Sequence, residues 1–180
     1  MIFMNKHLLV VDDNSVNIEL LLDLLDDHGF DNVHGLSDPR HVLAYCQQQL
    51  PDLILLDIRM PHIDGYAVME QLQEHFADQT PPVIVLTAQI DDDTRHRALK
   101  MGIRDFLTKP FKHDEVLQRI RNTLDVEHRY QVRDKQAETL EQMVAKRTEE
   151  LDHQSRTDPI TQLPNRRALT QLLQEAAQRG

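Results

Sequence analysis

Three runs of uninterrupted apolar residues constrain this chain more than any other feature: Leu-Leu-Val-Val at 8–11, Leu-Ile-Leu-Leu at 53–56 and Val-Ile-Val-Leu at 83–86. A strand with one face in water alternates apolar and polar residues, whereas a strand covered on both faces does not. The runs therefore predict central strands of a sheet flanked by helices on both sides. Weaker runs at 32–36 and 103–107 bring the expected strands to five. Between them, apolar residues recur at helical spacing: Val16, Leu20, Leu21, Leu24 and Leu25, then Val42, Leu43 and Cys46, then Tyr66, Met69, Leu72 and Phe76. Leu99 marks a fourth helix, and Val116, Leu117, Ile120 and Leu124 a fifth. This βα alternation predicts an α/β fold built on a doubly wound, five-stranded parallel sheet. Such a sheet binds its ligand beyond the carboxyl ends of the strands, where the strand order reverses.

The fifth helix is expected to overrun the domain. No Pro or Gly occurs from 112 to 155, a span of 44 residues that covers about 66 Å if helical throughout. Heptad position a at Tyr130, Ala137, Val144 and Leu151 places d at Val126, Arg133, Leu140, Arg147 and Gln154. An apolar a row with a half-polar d row predicts a short, marginal parallel coiled coil, and hence a homodimer formed through the helix after residue 112. The alternative is a solvated helix with an accidental stripe.

Charge and composition exclude several classes of function. The net charge of −10 is concentrated before residue 113, where 18 Asp and Glu face 9 Lys and Arg; from 113 onward the counts are 12 and 11. Neither segment has the cationic excess that nucleic-acid binding draws on, so no nucleic-acid partner is expected. No apolar stretch approaches the roughly 20 residues needed to cross a bilayer, and residues 1–7 lack the pattern of a secretory signal. A cytoplasmic location with no membrane association is the expectation. Cys46 is the single cysteine and reads as a buried apolar filler.

The chemistry gathers at the strand ends. Asp12 and Asp13 follow the first strand, Asp57 ends the third, Thr87 ends the fourth, and Lys109 with Pro110 follows the fifth. Singly, each has an ordinary reading: aspartates as loop or capping residues, Thr87 as strand filler, Lys109 as surface charge. Together, on one edge of a parallel sheet, the three carboxylates repel one another unless a cation joins them. Hard oxygen ligands in that number suit magnesium (Mg2+). An aspartate is already ionised at neutral pH, so Asp57 can attack phosphorus without a general base. A metal and the Lys109 ammonium would offset the charge of the phosphoryl oxygens.

Residues 6 to about 125 resemble a response-regulator receiver domain, a flavodoxin-like fold. The resemblance rests on Val10-Val11-Asp12-Asp13-Asn14, on Leu55-Leu56-Asp57-Ile58-Arg59-Met60-Pro61 with Asp64-Gly65, on Leu86-Thr87-Ala88, and on Asp105-Phe106-Leu107-Thr108-Lys109-Pro110-Phe111. It implies that Asp12, Asp13 and Asp57 form a magnesium pocket completed by the backbone carbonyl of Arg59. Asp57 would take its phosphoryl group from a histidine of a partner histidine kinase or histidine phosphotransfer protein. Lys109 would pair with the phosphate, Thr87 would swing toward it, and the aromatic at Phe106 would turn inward in response. The bond to Pro110 would be cis. Phe106 stands where the family more often has tyrosine, so the switch must work by packing without that hydroxyl.

Beyond the helix, residues 155–169 resemble the opening of a GGDEF diguanylate cyclase domain, in Thr157-Asp158, in Thr161-Gln162-Leu163 and in Asn165-Arg166-Arg167. Ile160 and Gln162 depart from the usual Leu and Gly. Read without the resemblance, Asp158-Pro159 is a turn and Asn165 caps a last helix. No Gly-Gly pair occurs, so no cyclase activity is expected of this chain itself, and the resemblance implies a longer parent with that output. The expected organisation is a receiver at 1–125, a helical coiled-coil linker at 126–156 and the start of a GGDEF-like domain at 157–180. A stand-alone receiver adaptor, or a phosphorelay carrier, is the alternative.

Overall fold

A computed structural model of the chain describes residues 3, 5–88, 92–156, 158, 160–161, 163–166 and 167–178, with the side chains of 92, 94, 99, 152–156 and 167 outside the description. It divides into two compact units, Met1–His128 and Arg129–Gly180.

The first unit is a five-stranded parallel sheet with flanking helices. Strands β1 (Leu8–Val11), β2 (Val33–Leu36), β3 (Leu53–Asp57), β4 (Val83–Thr87) and β5 (Asp105–Thr108) lie in the order β2-β1-β3-β4-β5. Helices α1 (Ser15–Asp26), α2 (Val42–Gln48), α3 (Gly65–Phe76), α4 (Asp92–Lys100) and α5 (His113–Arg156) follow the strands in turn. Every residue of β1, β3 and β4 is buried, as their unbroken apolar runs require. Alternate residues feed two cores. Leu9, Ile54, Leu56 and Val85 pack with side chains of α2, α3 and α4 on one face, and Leu8, Leu55, Ile84 and Leu86 with α1 and the first turns of α5 on the other.

Three local readings need correction. Helix α1 buries Ile18, Leu21, Leu24 and Leu25, while Val16 and Leu20 are exposed. Gly35 of β2 sets that face: a Cβ there would stand 2.3 Å from Ile18 Cγ2, so the missing side chain admits Ile18. The second strand begins at Val33 and not at 32. The fifth begins at Asp105 and not at 103, because the Ile103 amide donates to the Ala98 carbonyl and so closes α4. The side chain of Leu99 lies outside the described residues.

In the second unit, α5 continues to Arg156 and α6 spans Arg166–Gln178. Asn165 Oδ1 accepts from the Ala168 amide at 3.0 Å, the expected cap. Asp158 Oδ1 accepts from the amides of Ile160 and Thr161, closing a turn. Thr157, Pro159 and Gln162 lie outside the described residues. Among the described side chains of this unit only Ala168 is buried. No helix among the described residues is long and apolar enough to cross a membrane.

Candidate functional site

The sheet order reverses between β1 and β3, whose chain continuations leave in opposite directions from adjacent strands. Asp12 and Asp13 follow β1 directly, and Asp57 is the last residue of β3. Carboxylate oxygens of all three lie within 4.8 Å of one another. Asp12 is fully buried and held on both oxygens. Oδ1 accepts from the Asn14 amide at 2.9 Å; Oδ2 accepts from Asn17 Nδ2 at 3.1 Å and from Lys109 Nζ at 2.7 Å. Asp57 is buried, with Oδ2 3.2 Å from the same ammonium. Its Oδ1 receives the Arg59 amide at a long 3.4 Å. Asp13 and the Arg59 residue are exposed.

Local sequence explains this placement. Asn14 caps α1 through the Val16 amide, which starts the helix immediately after the two aspartates. Asp64 caps α3 through the Ala67 amide at 2.8 Å. Gly65 lets that helix begin against the end of β3: a Cβ there would lie 2.5 Å from the Asp57 carbonyl oxygen, and the Gly65 amide donates to Ile58 O at 2.9 Å. After β5, the Lys109 amide donates to Thr87 O at 2.8 Å, extending the β4–β5 pairing and aiming the lysine back at the acidic cluster. The Lys109–Pro110 bond is cis.

Burial raises the Asp57 pKa; Lys109 opposes the rise and Asp12 adds to it. For Lys109, burial acts to lower the pKa, but the hydrogen bond to Asp12 and the charges of Asp57 and Asp12 prevail and raise it. One ammonium faces three carboxylates, two of them buried, so the ionised cluster carries an excess of negative charge. A divalent cation with hard-ligand preference fits that donor set and that charge. Burial thus makes the Asp57 carboxylate more basic than a solvated one.

The two remaining sites of interest lie on the neighbouring strands. Thr87 ends β4, is buried, and stands opposite Thr108 in the ladder. Phe106 is opposite Val85 and packs half-buried against the core beneath α3 and α4. Asn17 and Gly65 emerge as positioning residues to which the sequence assigned no role. Asn17 stands five residues after Asp12, on the first turn of the helix that leaves the strand edge, and that position was the available clue.

A doubly wound α/β domain whose switch point carries two buried aspartates, an exposed third and one lysine defines the class. The chain belongs to the response regulator receiver domain family, which matches residues 8–121. It is 34% identical over 128 residues to the regulatory protein VanRc of Enterococcus gallinarum, covering 71% of this chain and 53% of that protein. It is 29% identical over 151 residues to the cyclic di-GMP phosphodiesterase response regulator RpfG of Xanthomonas campestris pv. campestris, covering 83% of this chain and 40% of that protein. The structure of the Francisella response regulator 1452 receiver domain superposes with a TM-score of 0.62 at 27% identity, over 68% of this chain and 99% of that one. The chain spans about half the length of the curated relatives it matches. Receiver domains typically bind Mg2+ at an acidic cluster like that of Asp12, Asp13 and Asp57, and they interact with histidine kinases or phosphotransfer proteins.

Proposed function

We propose that Asp57 accepts a phosphoryl group from a phosphohistidine of a kinase or phosphotransfer partner, and that Asp12, Asp13, Asp57 and the backbone carbonyl of Arg59 hold Mg2+ there. The observation that carries the reading is Lys109 Nζ, 2.7 Å from Asp12 Oδ2 and 3.2 Å from Asp57 Oδ2, in a family whose members are phosphorylatable. A carboxylate oxygen of Asp57 attacks phosphorus, the P–N bond to the imidazole breaks, and the histidine leaves with that electron pair. The metal supplies charge neutralisation when bound. Lys109 offsets the rest of the charge, and Asn17 with the Asn14 amide keeps Asp12 oriented. The phosphoryl oxygens then offer acceptors to Thr87 and Lys109 that the free carboxylate lacks, and Phe106 follows Thr87.

The change passes to α5 and from there to a dimeric output. The receiver at 1–125 is the input, 126–156 the linker and 157–180 the start of a GGDEF-like cyclase domain in a longer parent. RpfG supports an output concerned with cyclic di-GMP, since its match runs past the receiver; the 155–169 resemblance points to synthesis of that messenger. The reading frame beyond Gly180 separates this from the adaptor or carrier alternative, because a stop codon there removes the cyclase parent. The dimer is parallel in this reading. Parallel pairing sets Asp134 at position e beside Arg129 at position g of the second helix, an opposite-charge pair.

Incubation of the full chain with acetyl phosphate and Mg2+ tests the acceptor. We expect one added phosphoryl group on the wild type and none on Asp57→Asn, read by intact mass. Label persisting in Asp57→Asn overturns the assignment.

A further inference from the structure

Tyr66 is a buried polar side chain that phosphoryl transfer does not use. It is the second residue of α3, only 7% exposed, and its hydroxyl is buried without a hydrogen-bond partner. Buried phenols ordinarily find one, because nothing else replaces the water they lose.

Two contacts join Tyr66 to working parts of the domain. On one side is its neighbour Gly65, whose backbone lies against the Asp57 carbonyl and donates to Ile58 O at 2.9 Å, so the first turn of α3 rests on the end of β3. On the other side is Arg97 of α4, whose guanidinium carbon lies 4.2 Å from the Tyr66 ring centroid, a cation–π contact. Among the described side chains of α4 only Ala98 is buried.

We propose that Tyr66 and Arg97 form a latch on α4. The ring contact holds α4 in the resting state, and the unpartnered hydroxyl biases the latch toward release. When Asp57 is phosphorylated, α4 shifts and the hydroxyl gains a partner. The proposal rests on the reading of Asp57 as acceptor. It gives the domain a second route from Asp57 to its surface, through Gly65 and α3, beside the route through Thr87 and Phe106.

Two conservative variants move the latch in opposite directions. Tyr66→Phe keeps the ring and the cation–π contact but removes the hydroxyl, so it stabilises the resting state. Arg97→Gln keeps a helix-forming residue but removes the cation, so it weakens the resting state. Hydrogen exchange of the α4 amides is followed in the full chain with Mg2+, before and after acetyl phosphate, with Asp57 labelling read by mass in the same samples. We expect Tyr66→Phe to shrink the phosphorylation-dependent change in α4 exchange by roughly fivefold, the scale of one buried hydroxyl. Arg97→Gln should raise α4 exchange before any phosphodonor is added. Thermal unfolding adds a check, since Tyr66→Phe should not lower the midpoint. A lowered midpoint, or variants that move α4 exchange equally or not at all while Asp57 is labelled, overturns the latch alone. A wild type that takes no label overturns the acceptor reading and the latch with it.

Discussion

Leu56, Val85 and Leu86 in the first unit are 0–1% exposed, whereas Leu140, Val144 and Leu151 in the second stand 57–62% exposed. The side chains are of the same kind; what differs is what surrounds them. The sheet brings helices to both faces of each central strand, so every apolar residue there finds neighbours within the unit. The long helix carries a comparable stripe with nothing described around it. Burying one such side chain is worth about 1.5–3 kcal/mol, so the first unit is stabilised by its own packing. The second holds that free energy in reserve for whatever covers it. Three carboxylates crowded at one sheet edge are held in place by the first arrangement, whereas the second leaves an apolar stripe open.

The largest test of this contrast is Gly65→Ala. An added Cβ meets the Asp57 carbonyl oxygen and Ile58 Cα, both backbone atoms that cannot rotate aside. We expect a loss of about 2–3 kcal/mol in urea unfolding of the receiver unit, with weaker Mg2+ binding because the end of β3 must move. Hydrogen exchange in residues 129–151 should stay unchanged. If that exchange changed as much as the receiver's, the two regions would not be independently stabilised.

The contrast also marks what was legible in the sequence. Strands covered on both faces announce themselves because burial on both sides leaves no room for polar residues, and β1, β3 and β4 needed no other signal. The acidic cluster was legible for a related reason: parallel βα units send the strand ends to one edge, so Asp12, Asp13, Asp57 and Lys109 had to converge. The face of α1 was not legible, since Val16 and Leu20 share a helical stripe with Leu24, and the decision in favour of Ile18 comes from Gly35 on another strand. The start of β5 was hidden in the same way, because Ile103 looks like strand until its amide is committed to closing α4. The heptad spacing of the long helix suggests a second copy as its partner, and the described residues of one chain bury none of that stripe.

A middle-sized effect is expected from Leu140→Glu. The residue is 62% exposed, so the receiver's unfolding midpoint should not change. In a parallel dimer it occupies a d layer beside acidic e positions, and a glutamate there forfeits apolar burial and adds repulsion. We expect the monomer–dimer dissociation constant from sedimentation equilibrium to rise about tenfold or more. A wild type that stays monomeric at high concentration, with and without phosphodonor, removes the reserve ascribed to the helix.

The smallest effect compares one sulfur in each region. Cys46 on α2 is 2% exposed and burial pushes its thiol pKa up to about 11, whereas Met143 on α5 is 63% exposed. The thiolate is the reactive form, so a buried thiol held neutral should resist alkylation at pH 8 while Met143 is open to sulfoxide formation. The sign for stability follows from the same shift. A thiol whose folded pKa lies above its unfolded value of 9.0 contributes fully below pH 9, and that contribution is lost as the pH rises toward 11. Peptide mapping after mild peroxide and iodoacetamide should therefore show modified Met143 well before modified Cys46. Denaturant should abolish the difference. Rapid alkylation of Cys46 in the folded chain would mean that the layer beneath α2 opens far more readily than its burial implies, and the line between a self-packed unit and an unpacked one would have to be redrawn through the receiver itself.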